Sequence, residues 1–124
     1  MNIFSYDYSL IDRQMLSKPV SLESFCASKL KVLADPTRLA VMGLLLKGPK
    51  HVSEINALLN MNQSLLSHHL QALRKAGLVE GIRDGKSVCY QLAPGVESVR
   101  SGEAINLGCC MLSFDKPSKK RNNT

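Results

Sequence analysis

Tryptophan is absent from this 124-residue sequence, and aromatic side chains make up only 5% of it. Single-strand recognition, in which bases stack on aromatic platforms, therefore has little to work with. No run approaches the ~20 apolar residues of a membrane-spanning helix, and the first residues lack the charged-then-apolar pattern of a secretory signal. A cytoplasmic protein with no membrane partner is expected. Cysteine is sparse, at Cys26, Cys89, Cys109 and Cys110. In that compartment these thiols are expected to be reduced, which argues against a structural disulfide framework. The sequence also lacks an activated nucleophile, paired carboxylates and a phosphate-binding glycine loop, so neither an enzyme nor a required cofactor is expected.

What is abundant is positive charge. The formal net charge is +6, and it is not confined to a tail, because Lys29–Lys86 holds nine Lys/Arg against four Asp/Glu. A basic chain of this size suits polyanionic partners, although charge alone also serves solubility. Length allows one domain with one modest core.

In chain order, residues 1–20 show no sustained period and read as an N-terminal arm, with Lys18-Pro19 breaking whatever precedes it. From Ser21, a candidate cap, Leu22, Phe25, Cys26, Leu30 and Leu33 fall on one helical face. Asp35-Pro36 then caps and starts a second helix carrying Leu39, Met42, Gly43 and Leu46, stopped by Gly48-Pro49. Gly43 inside that helix suggests close approach to another backbone. A short third helix, roughly Ser53–Leu59, turns Ile55, Leu58 and Leu59 inward, and Asn60-Met61-Asn62 forms the turn after it.

The next stretch organises the chain. Asn62 can cap a helix that Gly77 can close. Leu66, Leu70 and Leu73 make an apolar stripe, while Ser64, Ser67, His68, Gln71 and Lys75 lie opposite it with no carboxylate among them. Such a face is either a solvated surface or one made for the DNA major groove, where short donors and acceptors read base edges and acidic groups are repelled by phosphate. Two short helices joined by a three-residue turn, the second with a groove-compatible face, make a helix-turn-helix. His68-His69 is not a chelating pair, because consecutive helical side chains diverge by roughly 100°. Beyond Gly77, Leu78–Arg83 and Lys86–Leu92 flank Asp84-Gly85, a strong hairpin signal. A two-residue turn there pairs Val79 with Tyr90 and Gly81 with Val88, and places Arg83 and Lys86 at the tip, as gatekeeper charges or as contacts to flanking DNA.

The runs Leu30-Lys31-Val32-Leu33-Ala34-Asp35-Pro36-Thr37-Arg38-Leu39, Val52-Ser53-Glu54-Ile55, Asn62–Leu70 and Leu73–Val79, followed by the hairpin, closely resemble the ArsR/SmtB family of winged-helix repressors over residues ~22–92. The resemblance implies an α+β, mainly α fold: a homodimeric winged helix-turn-helix with a two-stranded wing, spanning residues 21–95. It further implies repression from imperfect palindromes in double-stranded DNA, relieved by a metal, metalloid or thiol-reactive effector. Gln63, Ser64, Ser67, His68 and Gln71 would then meet bases and phosphates, and Arg83 and Lys86 would be the wing contacts. His68 stands where many relatives carry Arg, so a bidentate guanine contact is not implied. Two familiar effector sites are missing: Asn56 and Leu58 occupy the positions of a Cys-x-Cys pair, and no His follows Leu92 to complete a His/carboxylate site.

Residues 96–114 remain as a dimerisation and sensor segment, with 115–124 as a disordered basic tail. In it Ile105, Leu107, Cys109 and Met111 alternate, favouring an extended strand with Cys109 and Cys110 on opposite faces. Adjacent cysteines in this family suggest a thiophilic effector such as arsenite, antimonite or a zinc-like soft metal ion. Zinc wants four N/S ligands, so the pair needs help, and Cys26 is the candidate third ligand if the first helix and this segment meet at the dimer interface, as the resemblance implies. Cys89 points away from the inner face of the wing and is the weaker choice. A thiol-redox or persulfide sensor, and a purely structural pair, stay open. So does a different class of function, a winged helix that binds protein without sensing.

Overall fold

A computed structural model describes residues 21–96 and 104–114; the arm over 1–20, the stretch 97–103 and the basic tail over 115–124 lie outside the described residues. In chain order the elements are α1 (Leu22–Leu33), α2 (Pro36–Leu45), β1 (Lys50–His51), α3 (Val52–Leu59), α4 (Gln63–Lys75), β2 (Val79–Asp84), β3 (Ser87–Leu92), β4 (Ala104–Asn106) and β5 (Met111–Ser113). The first three long helices start on side-chain caps. Ser21 accepts from the Ser24 N–H, Asp35 from Arg38 and Asn62 from Leu65, each satisfying a donor that the first helical turn leaves free. Asn60 ends α3 in the left-handed conformation (φ 50°), one that asparagine tolerates, and its N–H bonds to the Asn56 carbonyl. That turn swings the chain into α4 and completes the helix-turn-helix.

Leu66, Leu70 and Leu73 of α4 are fully buried against Val41, Met42, Ile55 and Leu78. Burying each leucine contributes roughly 1.5–3 kcal/mol, so this stripe is what fixes α4 in rotation. The other predicted faces are covered less completely. Of the apolar stripe on α1, only Leu33 is buried; Leu22 (62%), Phe25 (40%) and Leu30 (43%) stay exposed in the single chain. Leu58, expected inward, is 60% exposed, so α3 anchors through Ile55 alone among its fully buried residues. Gly43 faces the Phe114 ring and not a second backbone, and a Cβ there would sit 3.7 Å from the ring, an ordinary van der Waals contact, so close backbone approach does not explain the glycine.

The wing forms, but in a register two residues away from the expected one. Asp84 pairs with Ser87 and Gly81 with Tyr90, leaving Gly85-Lys86 as the two-residue loop. Asp84 is thereby drawn into the strand, where its carbonyl accepts the Ser87 hydroxyl and its carboxylate reaches His51. Gly81 fixes the match opposite Tyr90: a Cβ there would lie 3.1 Å from both the Tyr90 ring and Val88. A shift of two preserves which side chains face the core, so the alternating pattern could not distinguish the registers. A third strand went unanticipated: β1 pairs with β3, Lys50 opposite Tyr90 and His51 opposite Cys89.

The C-terminal segment departs most from expectation. It is a second hairpin, β4 against β5, with Ile105 opposite Leu112 and Asn106 opposite Met111. Ile105 and Leu107 enter the same core as α4, and the Asn106 N–H bonds to the Val96 carbonyl at 2.6 Å. Its turn is built on Gly108, at φ +95°, whose N–H donates to the Asn106 side chain while Leu107 N–H donates to the Cys110 carbonyl. Cys109 and Cys110 consequently sit in the turn and not on opposite faces of one strand.

Candidate nucleic-acid interface and thiol centre

The outer surface of α4 is laid out as its sequence implied. Gln63, Ser64, Ser67, His68, Gln71 and Lys75 are all exposed on the side away from the leucine stripe. His68 and His69 part company: His69 is 8% exposed and its Nδ1 accepts from Arg38 Nε at 3.0 Å, while His68 faces solvent. Gln71 Oε1 accepts from Arg74 Nη2 at 2.8 Å, so Arg74 belongs to the same surface. Arg74 was not among the expected contact residues, yet its position three residues after Gln71 is the signal that could have found it.

Arg83 and Lys86 are both exposed at the far end of the wing, Lys86 within the loop and Arg83 opposite Val88. The acidic groups near them are engaged. Asp84 Oδ2 lies 2.8 Å from His51 Nε2, and Glu54 Oε1 accepts the His51 backbone N–H at 2.8 Å while lying 3.3 Å from its Nδ1. Hydrogen bonding to Asp84, then to Glu54, raises the His51 pKa above its ordinary 6.5. The same backbone N–H, then the His51 ring, lowers that of Glu54. A protonated His51 thus partly offsets two carboxylates beside the wing and ties its tip to the first turn of α3.

The thiol centre is assembled from two distant stretches. Phe25 lays its ring on Gly108, where a Cβ would be only 3.0 Å from the ring, so glycine is what lets α1 reach the hairpin turn. This brings Cys26 to Cys109, and the two are joined as a disulfide. The fold places the two sulfurs side by side; an oxidant that removes the two thiol hydrogens makes the bond, and a reducing compartment keeps both as thiols. Cys110 Sγ lies 3.6 Å from Cys26 Sγ and 3.8 Å from Cys109 Sγ. Among the described residues, these three form the one group of His, Cys, Asp or Glu donors close enough to share an ion, all within 4.8 Å of one another. Cys26 and Cys109 are half-buried and Cys110 is exposed. Cys89, half-buried on β3 opposite Ile82, takes no part.

Three soft sulfur donors suit a thiophilic centre that accepts three ligands; zinc would need a fourth from elsewhere. The disulfide and the ligand role exclude each other, because a sulfur bonded to sulfur cannot serve as a thiolate.

A helix-turn-helix followed by a two-stranded wing defines the winged-helix class. Residues 35–81 match the family model described as "Bacterial regulatory protein, arsR family". The chain is 44% identical over 66 residues to the HTH-type transcriptional regulator NmtR of Mycobacterium tuberculosis, covering 53% of this chain and 55% of that one. It is 35% identical over 85 residues to the HTH-type transcriptional regulator CmtR of Mycobacterium bovis, covering 68% and 72%. Among solved structures it is similar to the homodimeric winged helix-turn-helix DNA-binding domain of Mb0332 from Mycobacterium bovis. There the TM-score is 0.55 at 38% identity, over 58% of this chain and 67% of that one. The chain belongs to the ArsR/SmtB family. It spans about half the length of NmtR. These relatives are named for transcription or DNA binding, in line with the lack of catalytic motifs in the sequence.

Proposed function

We propose that the protein is a homodimeric repressor of transcription that binds an imperfect palindrome in double-stranded DNA and is controlled by a thiophilic effector at Cys26, Cys109 and Cys110. The DNA-binding part is supported above all by the exposed, carboxylate-free face of α4. Gln63, Ser64, Ser67, His68 and Gln71 meet base edges and phosphates, and Arg83 and Lys86 hold the flanking backbone. A second copy is called for by the uncovered apolar residues of α1, Leu22, Phe25 and Leu30. Two copies would set two recognition helices against half-sites one helical turn apart, which is what a palindrome requires.

The effector reading is supported by three sulfurs within 4.8 Å. Arsenite and antimonite, which take three sulfur ligands, fit that number without help from elsewhere. A second reading, control by thiol oxidation, is favoured by the Cys26–Cys109 bond itself. The two are linked: only the reduced centre offers three thiolates, so oxidation competes with effector binding. A winged helix that binds only protein remains the rival, and sequence-selective binding to DNA separates the two.

The test is fluorescence anisotropy on a duplex from the gene's own upstream region and on a scrambled duplex, with sedimentation of the complex at moderate salt. Two protomers on one duplex and clear preference for the upstream sequence are expected. Equal, weak binding to both duplexes would overturn the repressor reading and favour the protein-binding one.

A further inference from the structure

The end of α4 is closed in part by its own backbone. Gly77 N–H donates to Arg74 and Leu78 N–H to Leu73, the double bond expected where a glycine at φ +77° ends a helix. The Ala76 carbonyl instead accepts Lys29 Nζ of α1, at 2.6 Å. A cation there meets both an orphan acceptor and the negative end of the helix dipole. The same ammonium lies 4.9 Å from the centre of the Phe25 ring, within cation–π range, on the residue one turn earlier in α1. That ring is the one seated on Gly108, beside Cys109 and next in sequence to Cys26.

We propose that Lys29 is the positioning residue that transmits the state of the three-cysteine centre to the recognition helix. This rests on the sensing reading above. The path is short and continuous: sulfurs, Gly108 turn, Phe25 ring, Lys29 ammonium, Ala76 carbonyl. Drawing three thiolates around one ligand, or making and breaking the Cys26–Cys109 bond, moves the turn on which Phe25 rests. The ring sets where the ammonium sits, and the ammonium holds the C-terminal end of α4. In a dimer, a shift at that end changes the spacing of two helices that must reach half-sites one helical turn apart. Arg38 also touches α4, through His69, but its other bond goes to Val32 in the last turn of α1, at the opposite end from Cys26.

The experiment compares the full-length wild type with Lys29→Met and Lys29→Arg on the upstream duplex. The quantity read is the ratio of DNA dissociation constants with and without arsenite, and again before and after diamide, which takes up the two thiol hydrogens as the Cys26–Cys109 bond forms. Thiol titration measures occupancy of the centre separately. Lys29→Met is expected to bring the ratio close to one while arsenite still protects the thiols, and Lys29→Arg to restore it. A merely structural lysine would lower DNA affinity in both states and leave the ratio intact, which overturns the proposal. Should Lys29→Met fail to melt cooperatively, Phe25→Leu takes its place, with a reduced ratio expected and a wild-type ratio contradicting. If the wild type ignores both reagents, the sensing reading itself fails and the linkage falls with it.

Discussion

The recognition helix and the thiol centre are built on opposite principles. Everything that shapes α4 lies within sixteen consecutive residues: a cap at Asn62, a leucine every third or fourth position, a closing glycine at Gly77. The thiol centre joins Cys26 and Cys109, 83 apart in sequence, brought together by long-range packing: Ile105 and Leu107 in the core, and Phe25 over Gly108. Local periodicity makes a surface; a long-range contact makes a switch. A surface of the first kind survives single changes on its outer face, whereas a centre of the second kind loses three-sulfur ligation with any one of its sulfurs and disulfide chemistry with Cys26 or Cys109.

The sharpest way to break that contrast is at the core of α4. Leu66→Ala or Leu73→Ala is expected to destabilise the fold by about 2–5 kcal/mol, because each side chain is fully buried and would leave a cavity. Chemical denaturation reads this directly, and a loss under ~1 kcal/mol would mean that the stripe does not fix the helix. Next in size is Cys110→Ser, which removes the exposed third sulfur. It should abolish the arsenite response, a change of roughly 5- to 150-fold in DNA affinity if the coupling is of ordinary strength, while the Cys26–Cys109 bond still forms on oxidation. Retention of the full arsenite response would exclude Cys110 as a ligand.

On the outer face the effects should be smaller and specific. His68→Ala should cost about 1–3 kcal/mol at one or two base positions and little on random duplex; an equal loss on both removes His68 from base reading. Lys86→Ala should weaken binding to every sequence and flatten the salt dependence by about one unit of slope. An unchanged slope would place Lys86 away from phosphate.

The smallest expected effect concerns pH. His51 has its pKa raised in the folded chain by Asp84 and Glu54. The stability it contributes is therefore fully present below about 6.5 and is lost as pH rises through the higher folded value. Thermal melts across that window should show a slight fall that Asp84→Asn, which removes the leading partner, makes shallower. A rise in stability over the same window would contradict the assignment.

Legibility followed the same division. The four helices, the caps at Ser21, Asp35 and Asn62 and the outer face of α4 were readable because each is a short-range pattern; burial matches the leucine stripe of α4 but only Leu33 of the α1 stripe and Ile55 of α3. The wing was readable as a hairpin but not in register, since Asp84-Gly85 and Gly85-Lys86 both offer a turn and a shift of two leaves the alternation unchanged; the fit of Tyr90 over Gly81 decides, and that contact crosses strands. β1 is too short, at two residues, to leave a pattern. The alternation of Ile105, Leu107, Cys109 and Met111 mimics one strand because the turn at Gly108 falls in step with it. Cys26 was expected as a partner only if α1 met this segment at a dimer interface; the two meet within one chain, through a long-range contact that leaves no local pattern. Lys29 left no signal at all, for its role depends on where the end of α4 comes to rest.

The most direct test of the account is a single titration. Fully reduced protein, bound to its upstream duplex and followed by fluorescence anisotropy, is titrated with arsenite alongside a Cys109→Ser/Cys110→Ser variant. The account predicts that the wild type changes its affinity for DNA as the thiols are occupied, while the variant binds the duplex equally well and does not respond. Tight, sequence-selective binding by both proteins, indifferent to arsenite, would leave a DNA-binding protein and contradict the claim that the three sulfurs control it.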